Sequence, residues 1–288
     1  AQPAVDEFSP LELSSLNFQS HIEQTAFEKM VEEARSLIRQ GDMFQCVLSQ
    51  RFSAEYSGRP LDYYRNLRVT NPSNYLYFYD FGDYQIIGAS PESLVSVKQG
   101  QVTTNPIAGT RPRGQDERED KALAKELLAD EKEVAEHRML VDLGRNDIGK
   151  IAQNNSVEVT KYMEVEYFRY VMHLTSVVRG QLLPQLTAMD ALKSTLPAGT
   201  VSGAPKIRAM KRIYELEQEK RGVYAGAIGY LSATGDMDFA IAIRTMILKN
   251  GRAYVQAGAG IVYDSIPANE YQETINKAKS MTKIGEMQ

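Results

Sequence analysis

Two pairs of glutamates have a spacing that suits metal binding. Glu133 and Glu136 are three residues apart in one helix-forming stretch, and Glu270 and Glu273 are three apart in another, with Lys277 four residues further on. Residues three or four apart project from the same face of a helix, so each pair presents two carboxylates together. Mg²⁺ takes one or two carboxylates together with water and substrate oxygens. Two such faces brought together would offer a Mg²⁺ site, but the spacing by itself favours a solvated face on each helix, so another observation has to connect them.

Other motifs that could carry chemistry are weaker. The stretch from Gly199 to Lys206 is similar to a phosphate-binding loop, but its glycine-to-lysine spacing is wrong and no serine or threonine follows the lysine. Gly258 and Gly260 lack the third glycine of a dinucleotide fingerprint, so we interpret them as places where the backbone must approach another group closely. Cys46, the sole cysteine, has none of the glycines of a nucleophile elbow, and we interpret it as a buried apolar residue.

Length, composition and charge place these residues in a globular protein. The chain has 288 residues, of which 43% are apolar and 24% charged, enough to bury a substantial core. Lys and Arg number 33 against 37 Asp and Glu, so the net charge of −4 gives no overall case for nucleic acid or an anionic membrane as a partner. With one cysteine, no long apolar run and no signal peptide among the first residues, we expect a cytoplasmic protein.

Helices are predicted from apolar spacing and capping residues. Apolar residues recur at helical spacing from Thr25, which forms a predicted capping box with Glu28. The segment 116–150 is rich in helix formers, and Asp130 predicts a second helix start within it. Further helices are predicted at 61–68, 187–194, 206–217 and 268–283.

Strands come in adjacent runs joined by short turns. Such runs, with helices inserted between them, predict an α+β fold: mostly antiparallel β-sheets in an α/β sandwich with helices on the outer faces. Residues 1–24 show little periodicity and are predicted to be a lead-in segment, followed by one catalytic domain over 25–288. Strands are predicted at 43–52, 74–80, 84–90, 94–97, 101–104, 157–165, 171–183, 224–233, 237–248 and 253–257.

Five uncommon strings are similar to those of a known family. In chain order they are PIAGTRPRG (106–114), EHRMLVDLGRNDIG (136–149), LPAGTVSGAPK (196–206), GVYAGAIGYL (222–231) and AGAGIVYDSIPANEYQET (257–274). Together they resemble the chorismate-utilising enzymes, specifically the large subunit of anthranilate synthase, over about residues 27–283. The resemblance implies that family's fold. It also implies that the N-terminal part is missing here, because the family's large subunits are considerably longer.

Two positions discriminate among the reactions of this family. Gln45 stands where isochorismate and salicylate synthases carry a lysine that activates water, and Ala108 stands where aminodeoxychorismate synthases often carry a nucleophilic lysine. Neither an amide nor a methyl group can do that chemistry. The resemblance therefore implies that ammonia attacks chorismate and that the products are anthranilate and pyruvate. Two alternatives stay open: an aminodeoxychorismate synthase that uses ammonia directly, and a truncated binding module without turnover.

The resemblance also assigns the groups that would perform the reaction. Glu136 and Glu273 match the Mg²⁺ ligands, supported by Glu133 and Glu270. Glu92 matches the general acid that protonates the departing C4 hydroxyl. His173 matches a histidine near the ring that assists proton removal from C2. Gln45 is the third position assigned as catalytic.

The remaining site residues are implied to bind substrate. Tyr224 and Arg244 match residues that grip the enolpyruvyl carboxylate, and Lys277 matches a further carboxylate contact. Gly109, Thr110 and the backbone of Gly258, Ala259 and Gly260 supply the remaining donors.

The family resemblance implies two partners and weak binding, at most, of a third. The chain has no glutaminase signature, so a glutamine amidotransferase subunit is the implied source of ammonia, while chorismate is the implied substrate. Tryptophan feedback binding is expected to be weak or absent. Residues 71–78 match one half of the family's tryptophan site, with Asn74 in place of the usual proline, and the motif of the other half is not found.

Overall fold

The computed structural model describes residues 16–217 and 219–282. Every pair of named strands in these residues is antiparallel, which confirms the α+β fold with mostly antiparallel sheets. The helices are α1 (Gln24–Arg39), α2 (Pro60–Thr70), α3 (Glu117–Ala129), α4 (Glu131–Gly149), α5 (Ala188–Thr195), α6 (Lys206–Leu216) and α7 (Pro267–Thr282). The strands are β1 (Gln19–Ser20), β2 (Gln45–Glu55), β3 (Tyr75–Asp80), β4 (Tyr84–Ser90), β5 (Ser93–Lys98), β6 (Gln101–Thr104), β7 (Ile107–Pro112), β8 (Glu158–Tyr167), β9 (Val171–Gln181), β10 (Gly203–Ala204), β11 (Ala227–Leu231), β12 (Met237–Ile241), β13 (Thr245–Lys249) and β14 (Arg252–Ile261).

The described residues form two compact units, each built on one sheet. Unit 1 contains the residues up to Pro91, Val201–Gly226 and those from Ala242 onward, and unit 2 contains Glu92–Thr200 and Ala227–Ile241. Of the predicted lead-in 1–24, residues 1–15 lie outside the described part, and β1 pairs with β2. The single catalytic domain over 25–288 stays a prediction, and these are two structural units within it.

Unit 1 has the strand order β1-β2-β14-β13-β4-β3, with β10 also paired to β2. Side chains alternate across the sheet, so the two faces of β2 and β14 differ. One face carries apolar side chains that pack against the helices of this unit. Its two clusters include Phe27, Leu48, Ile213 and Ile261 in one, and Phe52, Tyr63, Met246 and Met281 in the other.

Unit 2 has the strand order β11-β12-β5-β6-β9-β7, and β8 also pairs with β9. Helix α4 lies against β9 and β7. Leu127 of α3 and Leu174 of β9 are fully buried in a shared cluster. This packing fixes α4, which carries the first glutamate pair, against the strand that carries His173.

The predicted helix start at Asp130 is confirmed, whereas two other predictions are wrong. The Asp130 side chain accepts hydrogen bonds from the backbone N–H groups of Lys132 and Glu133 at 3.1 and 3.2 Å. Helix α1 begins at Gln24 with Glu23 as its N-cap and no side-chain cap, so Thr25 lies inside the first turn and forms no capping box. The strand predicted over 237–248 is two strands, because the backbone turns between Ile241 and Thr245.

Candidate functional site

A bulge in β7 brings three predicted substrate and catalytic residues together in unit 2. The pairing of β7 with β9 shifts register between Ala108 and Thr110, and Gly109 has a φ of 68°, a conformation that favours glycine. His173 lies opposite on β9, where its Nδ1 is 2.9 Å from the Gly109 carbonyl oxygen and 3.1 Å from Thr110 Oγ1. A carbonyl can only accept, so the Nδ1 atom of His173 carries a proton, and in the neutral form of the ring Nε2 is the acceptor nitrogen.

The first glutamate pair lies beside this bulge. A Cβ atom added to Gly109 would lie 3.3 Å from Glu133 Oε2, so the carboxylate sits against the glycine backbone. Burial, and then the charge on Glu136, raise the pKa of Glu133. Arg111 lies 3.9 Å from Glu133 and bonds Asp130 at 2.8 Å. Unit 2 therefore holds two close carboxylates whose mutual repulsion a cation would relieve.

Glu92 directly precedes β5 and lines a narrow cleft of unit 2. Its backbone carbonyl accepts a hydrogen bond from Ile241 N–H at 3.0 Å, which fixes the loop between β4 and β5 to β12. The cleft has a volume of about 60 Å³, and Thr104 and Thr200 also line it. The predicted general acid thus faces a small, partly polar space.

In unit 1, the glycines of β14 make room for two predicted site residues. A Cβ atom on Gly260 would lie 2.7 Å from Gln45 Nε2, and one on Gly258 would lie 2.7 Å from Tyr224 Oη. These close approaches require glycine, which agrees with the interpretation of Gly258 and Gly260 from the sequence. Ala259 between them is fully buried in the helix-facing core, so its backbone is the part that remains for binding.

Lys277 links the second glutamate pair to this strand. Its Nζ atom is 2.7 Å from Glu273 Oε1 and donates a hydrogen bond to the Gly258 carbonyl at 3.1 Å. Glu270 lies in the first turn of α7, one turn before Glu273. Lys277 therefore places the Glu273 carboxylate at the edge of the glycine backbone.

Arg244 and Tyr224 are held by their backbones and neighbours in unit 1. Arg244 has a φ of 47°, in the turn that separates β12 from β13, and its carbonyl accepts from Ala89 N–H at 3.0 Å. The Arg221 guanidinium lies 5.5 Å over the ring of Tyr224. Arg221 in turn bonds Glu217 at 2.6 Å. Sequence reasoning missed the Glu217–Arg221 pair, because both residues follow the end of α6 at Leu216 and the helical spacing rule does not apply to them.

Three further observations bear on the other predictions. Within residues 16–217 and 219–282, no three His, Cys, Asp or Glu side chains gather closely enough to hold a metal ion together. The described helices include none with the length and apolar character needed to cross a bilayer. Cys46 is fully buried, as interpreted, and burial raises the pKa of its thiol to about 12.

Comparison with known proteins identifies the family. The model of the chorismate binding enzymes matches residues 5–283. Anthranilate synthase component 1 of Lactococcus lactis subsp. lactis (strain IL1403) is 63% identical over 275 residues, which cover 96% of this chain and 60% of that protein. The corresponding protein of Aquifex aeolicus (strain VF5) is 53% identical, over 94% of this chain and 55% of its own length. The chain thus spans somewhat more than half the length of these relatives.

Solved structures agree. Anthranilate synthase component I from Streptococcus pneumoniae TIGR4 superposes with a TM-score of 0.91 at 80% identity, covering 97% of this chain and 62% of that one. MenF, the menaquinone-specific isochorismate synthase from Escherichia coli, superposes with a TM-score of 0.84 at 26% identity, over 93% and 62% of the two chains. The glycine bulge, Glu136, Glu270 and Glu273 lie in the sequence strings described above. Together with these comparisons, they show that the chain belongs to the chorismate binding enzyme family.

Proposed function

We propose that the chain is the catalytic part of an anthranilate synthase, which converts chorismate and ammonia to anthranilate and pyruvate. The observation that carries the proposal is that Gln45 and Ala108 stand where the resemblance places lysines in other members of the family. Since neither side chain can activate water or attack carbon, ammonia has to be the nucleophile. The names of the relatives in Lactococcus lactis and Aquifex aeolicus support the same reaction.

The surroundings of Gln45 support a neutral residue at this position. The side chain is 5% exposed, and its Nε2 atom lies close to the backbone of Gly260. An amide has no basic nitrogen, so it cannot take a proton from water as a neutral lysine can. The position of Gln45 is therefore suited to a reaction in which this residue does not activate water.

We assign the proton transfers to His173 and Glu92. The Gly109 carbonyl holds the Nδ1 proton of His173 at 2.9 Å, so Nε2 can accept the proton that leaves ring carbon 2 as pyruvate departs. Glu92 protonates the hydroxyl that departs from carbon 4 while ammonia adds at carbon 2. For this step the Glu92 carboxyl acts in its protonated form, which a nearby anionic substrate favours.

Substrate carboxylates are the proposed partners of the cationic and backbone donors. Tyr224 and Arg244 bind the enolpyruvyl carboxylate, Arg244 through the two N–H groups of its fork. Lys277 and the backbone of 258–260 provide further donors in unit 1, and Gly109 and Thr110 do so in unit 2.

Mg²⁺ is the proposed metal ion, with Glu136 and Glu273 as ligands and Glu133 and Glu270 in support. The residues fit, because Mg²⁺ needs only one or two protein carboxylates, and a cation would offset the two effects that raise the pKa of Glu133, burial first and the charge on Glu136 second. When bound, Mg²⁺ would neutralise the ring carboxylate of chorismate.

A glutamine amidotransferase subunit is the proposed source of ammonia, and the cytoplasm the proposed compartment. No Cys-His-Glu glutaminase signature accompanies Cys46, whose burial also makes it unreactive. Ammonium salts at high pH should replace the partner, because they supply free ammonia directly.

The test is turnover of chorismate with Mg²⁺ and ammonium, followed by anthranilate fluorescence. Glu92→Gln and Glu136→Gln should each abolish turnover, and only Glu136→Gln should weaken the dependence on Mg²⁺. Glu33→Gln, on the exposed surface of α1, is the matched control and should leave both unchanged. A precursor of para-aminobenzoate as product would refute the assignment in favour of aminodeoxychorismate synthase. Binding of chorismate without product, in a correctly folded protein, would identify a binding module.

A further inference from the structure

The cleft beside Glu92 is lined by two buried hydroxyl groups that lack a hydrogen-bond partner within residues 16–217 and 219–282. Its lining includes Glu92, Thr104, Asn105, Asp147 and Thr200, all within unit 2. Among the described residues, the hydroxyl oxygens of Thr104 and Thr200 are buried and have no hydrogen-bond partner. Thr104 is only 7% exposed as a whole residue. Buried hydroxyl groups are nearly always hydrogen-bonded, so an exception of this kind calls for a ligand or a water molecule.

The backbone around the cleft preserves this space. A Cβ atom on Gly144 of α4 would lie 3.1 Å from Thr104 Oγ1 and 3.6 Å from Pro106, which would narrow the cleft at the hydroxyl. A Cβ atom on Gly199 would collide with the Leu143 side chain, so glycine lets the segment that carries Thr200 approach α4. Two glycines thus bring the two hydroxyl groups towards one cleft without filling it.

Size and polarity together match water. The cleft measures about 60 Å³, and one bound water needs roughly 10–15 Å³ of such space with two to four polar partners. Two hydroxyl groups and the carboxyl of Glu92 supply donors and acceptors for a short chain of one or two waters.

We propose that this cleft binds one or two water molecules that connect Thr104 and Thr200 to Glu92 and orient its carboxyl group for proton donation. The inference rests on the proposed function, because Glu92 has to be the acid for its orientation to affect turnover. Thr104 is then a positioning residue that acts through water.

Paired substitutions at Thr104 test the role of the hydroxyl. Thr104→Val keeps the shape and removes the hydroxyl, whereas Thr104→Ser keeps the hydroxyl. General acid catalysis contributes about 10²–10⁴ in rate, so partial misorientation in Thr104→Val should lower kcat by about tenfold. We expect KM for chorismate to stay within twofold, and the limb of the pH–kcat profile that reports the acid to shift. Thr104→Ser should retain the wild-type profile.

A crystal structure at high resolution tests the water directly and without activity. The wild-type protein should show a water within about 3.2 Å of Thr104 Oγ1, and Thr104→Val should lose it. A dry cleft in a wild-type protein that makes anthranilate would overturn this inference and leave the proposed function standing. Equal kcat and pH profiles in both variants would overturn it as well. Ordered water in a protein that makes no anthranilate would overturn the proposed function instead, and the connection to acid catalysis with it.

Discussion

Gly109→Ala should destabilise unit 2 and disturb the His173 environment. Gly109 has a φ of 68°, and a Cβ atom there would lie 3.0 Å from Leu127 Cδ1, 3.3 Å from Glu133 Oε2 and 3.4 Å from Leu174 Cδ1. A left-handed conformation costs an L-residue about 1–2 kcal/mol, and the tight contacts add to that cost. We therefore expect a loss of about 2 kcal/mol, or roughly 3 °C in Tm for a chain of this size.

The measurement is thermal unfolding by far-ultraviolet circular dichroism, together with anthranilate formation. Gly149→Ala is the matched control, because Gly149 ends α4 with nothing within 4 Å of its added methyl group and no left-handed φ. That change should be neutral or stabilise the helix by up to about 1 kcal/mol. In Gly109→Ala the bulge carbonyl moves away from His173 Nδ1, so kcat should also fall. If both variants melted within a degree of each other and retained full activity, the strain assigned to the bulge would be wrong.

Two further predictions concern a close approach and an ion pair. Gly260→Ala places a methyl group 2.7 Å from Gln45 Nε2, so the amide must move. We expect kcat/KM for chorismate to fall by about tenfold or more. Unchanged kinetics would show that the position of the Gln45 amide is unimportant for the reaction. The hydrogen bonds from Arg113 lower the pKa of Asp120 below its ordinary 3.8, so this carboxylate stabilises the fold at neutral pH and ceases to do so as the pH falls through the lowered value. Asp120→Asn should reduce Tm at pH 7 yet lose less Tm than the wild type between pH 7 and pH 3, and parallel losses would contradict this assignment.

Local signals predicted the elements that carry most of the site. Asp130 predicted the start of α4, because its carboxylate caps the free N–H groups of the first turn. The spacing of Glu133 and Glu136 predicted that both lie on one face of α4, because residues three apart project from the same side of a helix. Such features depend on neighbours within four residues, so they could be read from the sequence.

Features that depend on distant partners could not be predicted. The run 237–248 contains no glycine or proline, yet it breaks after Ile241 because β12 pairs within unit 2 and β13 within unit 1. β7 was not predicted at all, since its bulge at Gly109 exists only through pairing with β9. The buried hydroxyl groups of Thr104 and Thr200 in the Glu92 cleft likewise have no signature in the local sequence.

The strand order of unit 1 delays the completion of its sheet until late in the synthesis of the chain. β14 lies between β2 and β13, and β13 joins β14 to β4, so the sheet has no continuous centre until these late strands exist. Strand β2 pairs with β14 across about 200 residues of chain, which a ribosome adds in roughly 10–40 s. During that interval β2 and the hairpin of β3 and β4 leave the ribosome with open edges, while unit 2 is made largely from one continuous stretch. Nascent unit 1 is therefore the part of the molecule that would most need a chaperone.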